Sequence, residues 1–216
     1  MRGTLKSRVM GRLWGLSVAV GGGLAVGLGA GMPSLAWPYG GMSYVGGALA
    51  ATLATFWLLE RWGWRWPWVG RWLQTPNLEG RYEGSLESSY TNEHQEHPRM
   101  ACIMEIRQSA TRIHVVAYFG PQHKNLEDSS GSHSFLEGLV RGADGVYYLH
   151  YQYHNEAELL FYQLHEHSGT VQLKYVSASQ QLIGTYYNLR GHRGKISVTR
   201  VSRRRLGESR FGTKPA

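Results

Sequence analysis

The sequence predicts a membrane-anchored all-β protein: two N-terminal transmembrane helices followed by an eight-stranded antiparallel β-barrel. Three observations predict it. From Leu13 to Leu59 the chain runs 47 positions without Asp, Glu, Lys, Arg or His. After Pro76, apolar and polar residues alternate in short runs broken by turn residues, the period of half-buried antiparallel strands. The composition divides at the same place: all eight tryptophans stand at or before Trp72, and 12 of the 28 glycines fall between Gly11 and Gly47. Residues 1–74 are therefore expected to form a transmembrane hairpin with basic and Trp-rich flanks. Residues 75–216 are expected to form a β-barrel with a basic tail.

The first expected span is Leu13 to Met32 and the second Gly41 to Leu59, each close to the roughly 20 residues a bilayer requires. The connection between them, "PSLAWPYG", is uncharged and too short to be a domain. Arg2, Lys6, Arg8 and Arg12 precede the first span; Arg61, Arg65 and Arg71 follow the second. Basic flanks stay in the cytoplasm, so a multi-pass protein with both termini cytoplasmic is expected, its tryptophans near the interface. A cleaved signal peptide is the rival reading, but the apolar core exceeds the usual run of about 7–15 residues. Gly23, Gly27 and Gly31 recur every four residues, as do Gly46, Ala50 and Ala54. Small residues at that spacing let helix backbones approach closely, within one hairpin or between protomers.

In the second part, "RMACIMEIRQ" places Met100, Cys102, Met104 and Ile106 on one side. "GVYYLHYQYHN" does the same for Tyr147, Leu149, Tyr151 and Tyr153. Val171, Leu173 and Tyr175 follow the pattern, then Leu182, Gly184 and Tyr186, then Ile196 and Val198. The turns between are "SATR", "GPQHKNLEDSSG", "RGADG", "HEHSG", "SASQ" and "RGHRG". Eight short strands with one apolar face fit a small barrel that holds side chains only, or one small ligand.

Tyr151, Tyr153 and Tyr186, with Gln108 on a predicted inward position, would give an interior that is aromatic yet able to hydrogen-bond. Either these hydroxyls find backbone partners in a filled core, or they line a polar cavity. "LIGTYYNLRGHRG" then brings Arg190 and Arg193 to the rim. This is either a solvated hairpin turn or an anion site, since guanidinium forks suit phosphate oxygens.

Other chemistry is weakly supported. The net charge is +8, and Arg203, Arg204, Arg205, Arg210 and Lys214 form a basic tail opposed only by Glu208, suited to solvent or anionic lipid. The ten histidines lack the spacing of a zinc site; His165 and His167 fall in a turn and His150 and His154 on an outward face, so no metal is expected. Ser130 and His133 lack a nucleophile-elbow context. There is no phosphate-binding loop and no dinucleotide fingerprint. No enzyme signature is present, and no cofactor is expected. Cys102 is the single cysteine, which excludes an internal disulfide.

The layout and three stretches, "LEGRYEG" at 78–84, "EIRQSATRIHV" at 105–115 and "HSGTVQLKYVSASQQLIGTYYNLRGHRGKISVTR" at 167–200, resemble the two-transmembrane β-barrel effectors of CBASS, the bacterial anti-phage systems built around a cGAS-like nucleotidyltransferase. Tyr82 departs from the pattern, where a tryptophan is expected. The resemblance implies a barrel that binds the partner enzyme's cyclic dinucleotide, oligomerises, and disrupts the bacterial inner membrane, with cell death or growth arrest. DNA and RNA polymers are not expected partners. It implies roles too: Arg190 and Arg193 on phosphate, Tyr151 and Tyr153 stacking, Tyr186 within the barrel, Gln108 and Thr185 on base edges or ribose. Two rivals remain: a membrane-anchored barrel that carries a lipid or other apolar ligand without disrupting the membrane, and an assembly protein with a filled core.

Overall fold

The computed structural model describes residues 5–31, 40–89, 99–121, 130–156 and 167–206. The chain divides into two compact units, residues 1–77 with 109–111, and residues 78–108 with 112–216.

The first unit is helical: α1 (Leu5–Gly31), α2 (Gly40–Arg61), a short 3-10 turn (Gly63–Arg65) and α3 (Pro67–Leu73). Val9, Leu13 and Ser17 are buried on one face of α1, and Ser17 Oγ donates to the Leu13 carbonyl at 2.7 Å. One turn further, Gly21 meets α2 at Thr52: a Cβ there would lie 2.5 Å from Thr52 Cα, so only glycine fits. Trp14 stacks on Phe56 at 4.7 Å. The Arg12 guanidinium donates to the Trp72 carbonyl and lies over its ring. Pro67 opens α3, where a missing N–H costs nothing. Gln74 closes it in the left-handed region, φ 55°. The turn Ser109–Thr111 belongs to this unit. Its two hydroxyls donate to Glu60 Oε1, and the Ala110 N–H donates to the Glu60 carbonyl.

No helix among the described residues is long and apolar enough to cross a membrane. This corrects the expected transmembrane hairpin, and with it the multi-pass inner-membrane location and the orientation drawn from the basic flanks. An uncharged run is not the same as an apolar one. Glycine and alanine offer little apolar surface, α2 opens on Gly-Gly-Met-Ser, and Lys6, Arg8 and Arg12 fall inside α1 rather than before it. The connection at 32–39 lies outside the described residues, as do Glu208, Arg210 and Lys214 of the tail.

The second unit is a closed barrel of eight antiparallel strands in sequence order: β1 (Gly80–Ser88), β2 (Arg99–Gln108), β3 (Ile113–Pro121), β4 (Ser130–Arg141), β5 (Tyr147–Glu156), β6 (His167–Val176), β7 (Gln181–Asn188) and β8 (Arg193–Ser202). β1 pairs with both β2 and β8, which closes the ring. The inward face of the strands is the apolar one, except on β4, which turns Ser132 and Ser134 inward. Tyr82, Leu86, Cys102, Met104, Ile106, Val115, Leu149, Val171, Leu173, Leu182, Ile196 and Val198 form one core. Leu149 and Leu173 are fully buried, which stabilises the fold by about 2 kcal/mol for each side chain. The ring is tight enough to need glycine on its inner face. A Cβ on Gly184 would lie 1.9 Å from the Gln172 carbonyl oxygen.

On the outer face of β1, Arg81 is fully buried between two carboxylates: Nε to Glu83 Oε1 at 2.8 Å and Nη1 to Glu105 Oε1 at 3.1 Å. Glu105 also accepts the Leu206 N–H at 2.9 Å, which ties the chain beyond β8 to β2. An ion buried this completely holds its place through its partners.

Candidate ligand-binding end of the barrel

The two ends of the barrel differ. At one end stand the tight turns 109–112, 142–146 and 177–180. Here Tyr82 Oη donates to the Leu78 carbonyl at 3.0 Å, and the Leu78 N–H donates to Gln108 Oε1 at 2.7 Å. Gln108 faces inward, 2 % exposed, but it is committed to closing this end.

At the other end the tyrosines stand on β5 and β7, the two strands that flank β6. The inward alternation of β5 carries Tyr151, Tyr153 and Asn155; β7 carries Tyr186; β4 carries Ser132 and Ser134; β1 ends on Ser88. The register places Tyr151 beside Val171 and Val171 beside Tyr186, so the tyrosines share one wall. Tyr186 Oη donates to Ser88 Oγ at 2.7 Å. Its ring fits because residue 194 is glycine: a Cβ there would lie 2.5 Å from Tyr186 Cε1. The His167 ring meets Tyr153 edge-on at 6.1 Å.

These phenols are neutral. Burial raises Tyr151 well above its ordinary value, with smaller contributions from Cys102 and Tyr153. Burial, then the Tyr186 phenol, raises Tyr153. Burial raises Tyr186, and the Ser88 hydrogen bond offsets part of that. Burial alone pushes the Cys102 thiol up to about 12. These tyrosines therefore offer aromatic faces and uncharged hydroxyls.

The β7–β8 turn lies at this same end. Gly191 takes φ +79°, and Asn188 Oδ1 accepts the N–H groups of Arg190 at 3.1 Å and His192 at 2.9 Å. The turn is tied to β1 through Arg193 N–H to Ser89 Oγ at 3.0 Å and Ser89 N–H to the Arg193 carbonyl at 2.7 Å. Arg190 and Arg193 are both exposed.

The structure brings together Tyr151, Tyr153 and Tyr186, and sets Arg190 in the turn beside them. Arg193 is at the same end but pairs with Tyr187 on the outward face. Thr185 pairs with Gln172 and Lys195 on that outward face too, and Gln108 stands at the opposite end; neither joins the tyrosines. In the helical unit, a Cβ on Gly23, Gly27 or Gly46 would meet nothing within 4 Å, and Ala50 and Ala54 are exposed. The α1–α2 approach is at Gly21 and Thr52 instead. Gly31 ends α1. His165 lies outside the described residues.

Three residues at this end escaped the sequence reading. Ser88 and Ser132 carry no signal of their own. Asn155 does: it is the next inward step after Tyr151 and Tyr153. It is 3 % exposed, and its Oδ1 has no hydrogen-bond partner.

A bulge in β4 completes the wall. The register shifts between Ser134 and Leu136 and turns Glu137 to the same side as Tyr151. Ser134 Oγ donates to Glu137 Oε1 at 2.5 Å and accepts the Val115 N–H at 2.8 Å. His114 Nδ1 lies 3.3 Å from both the Ser134 hydroxyl and the Glu137 carboxylate. Serine and carboxylate meet the same ring nitrogen, so this is not a nucleophile–base–acid relay, which requires both nitrogens.

Residues 73–200 match the family model described as "Cap15, cyclic dinucleotide receptor domain". No curated protein matches the chain.

Proposed function

The chain belongs to the Cap15 cyclic dinucleotide receptor family, and from that membership we propose that it is an anti-phage effector whose barrel end bearing Tyr151, Tyr153 and Tyr186 takes the nucleotide. The observation that carries the reading is the extent of the family match, which takes in all of β1 to β7 and most of β8. The geometry is compatible. A cyclic dinucleotide presents two bases and two phosphates. Neutral tyrosine faces suit the bases, and Arg190 suits a phosphate, with Arg193 reaching it from the outer side of the rim. The role is one of binding; no catalytic residue is proposed.

The proposed consequence of binding is assembly of several copies. The open faces at Gly23 and Gly27 of α1 and at Gly46, Ala50 and Ala54 of α2 are available for helix contact between copies. The proposed output is loss of membrane integrity in the infected cell, exerted by the assembled form. Trp57, Trp62, Trp66 and Trp68 are exposed aromatic surface that such an assembly can use. Residence as a multi-pass protein is no part of this reading.

The test is thermal stability of the full chain against a panel of cyclic dinucleotides and their linear counterparts. A ligand of the folded state at 100 times its Kd adds about 2.7 kcal/mol of stability. A rise in Tm with a cyclic species and none with its linear form is expected. Arg190→Ala should weaken that ligand roughly tenfold or more, an ionic hydrogen bond's worth, and Arg193→Ala less. No rise with any cyclic species overturns the proposal.

A further inference from the structure

Asn155 is a polar side chain turned inward at the ligand end, and its Oδ1 has no hydrogen-bond partner among the described residues. Its neighbours across the sheet are Ser132 on β4 and His167 on β6, and Tyr153 precedes it on the same face. The Ser132 hydroxyl is directed elsewhere, to the Ala117 carbonyl at 3.4 Å. At 3 % exposure the residue is shielded from bulk water in the ligand-free barrel, and no donor among the described residues reaches the amide oxygen. A buried acceptor without a donor is a standing penalty on the fold. Leucine, of nearly the same shape, would avoid it.

We propose that Asn155 is a specificity-determining residue that reads the edge of an adenine base stacked beside Tyr153. This rests on the receptor reading above and deepens it. The unpaired oxygen calls for a donor, and a base of the ligand can supply an N–H. The amide carries a donor beside that acceptor, and an adenine edge presents the complement, an exocyclic amino group next to a ring nitrogen, which asparagine meets with two hydrogen bonds. The tyrosines cannot supply this discrimination, because every base has a face to stack.

The experiment uses the full chain and two ligands, cyclic diadenylate and the same ring with purine in place of adenine, which lacks only the amino groups. The wild type should bind the adenine ring roughly tenfold tighter or more, within the range of a good bidentate contact. Asn155→Leu should bind both rings alike, at the level of the wild type with the purine ring. Its ligand-free Tm should equal or exceed that of the wild type, since the variant removes an unpaired group. Equal binding of the two rings by the wild type overturns the assignment, as does discrimination retained in Asn155→Leu, which would leave the amide to a bound water. A Tm several degrees lower, with both ligands lost, makes Asn155 structural and also overturns it. Binding only of rings that lack adenine overturns the base assigned but not the receptor. Failure of every cyclic dinucleotide to bind the wild type removes the receptor reading itself.

Discussion

Cys102 shows how burial decides chemistry at a single residue. It is fully enclosed in the barrel, and a thiol held up to about 12 carries almost no thiolate at neutral pH. Alkylation by iodoacetamide at pH 8.5 should leave the native protein unmodified over hours and modify it fully in denaturant; mass spectrometry reads both. Fast modification of the native form would mean that the barrel opens readily around β2. The same scale shows what the sequence could tell. Alternation reveals which face a residue takes, and Cys102, Met104, Tyr151, Tyr153 and Tyr186 are all inward. It does not reveal which end of the barrel a residue occupies. Gln108 is inward, yet it stands where β2 leaves the ring, far along the wall from the tyrosines of β5 and β7. Thr185 is outward for the same reason that Tyr186 is inward. Asn155 was legible and needed only one more step along β5.

At the scale of elements, the strands and their tight turns could be read, because period two and turn chemistry are local signals. The β4 bulge could not. Nothing in "SFLEG" announces that one residue drops out of register, and the displacement of Glu137 toward the inner wall depends on Ser134, His114 and the neighbouring strand. The bulge has a mechanical effect. The β3–β4 ladder runs only from Val116 to Phe119 among the described residues, whereas every other pair is joined over seven residue pairs or more. Local opening follows the weakest backbone pairing. In native-state hydrogen exchange, the amides of Ile113, His114 and Leu136 to Val140 should exchange before those of β6 and β7. Val115 should be slower than its neighbours, since its N–H is held by Ser134. Uniform protection around the ring would contradict this. The helices mislead for a different reason: the uncharged run from Leu13 to Leu59 suggests apolar length, and glycine supplies the one without the other.

At the scale of the whole molecule, four of the buried phenols among the described residues of the barrel, Tyr82, Tyr151, Tyr153 and Tyr186, titrate above their ordinary value near 10, chiefly because burial disfavours the charged form. The folded state therefore binds protons more tightly than the unfolded chain. The stability these groups contribute is complete below pH 10 and is lost as pH climbs from there toward their folded values. Each costs about 1.4 kcal/mol per pH unit across that window. Denaturant titrations at pH 8, 9 and 11 should give nearly equal stability at the first two and a sharp fall at the third. The phenolate absorbance of these four tyrosines, beyond that of exposed ones such as Tyr187, should appear only with unfolding; its appearance in the folded state would mean that solvent reaches the tyrosine wall.

The pairing of β1 with β8 has a consequence for how copies of this protein can meet. An open sheet ends in two strands whose free N–H and C=O groups invite another strand, and that invitation is the route to domain swapping and amyloid. Here the first and last strands satisfy each other, so the ring offers no outermost strand to extend. A filament of these barrels cannot be a continuous cross-β ladder. Whatever joins one copy to the next must act through side chains or through the helical unit, and such a joint can be dissolved again without unfolding the receptor.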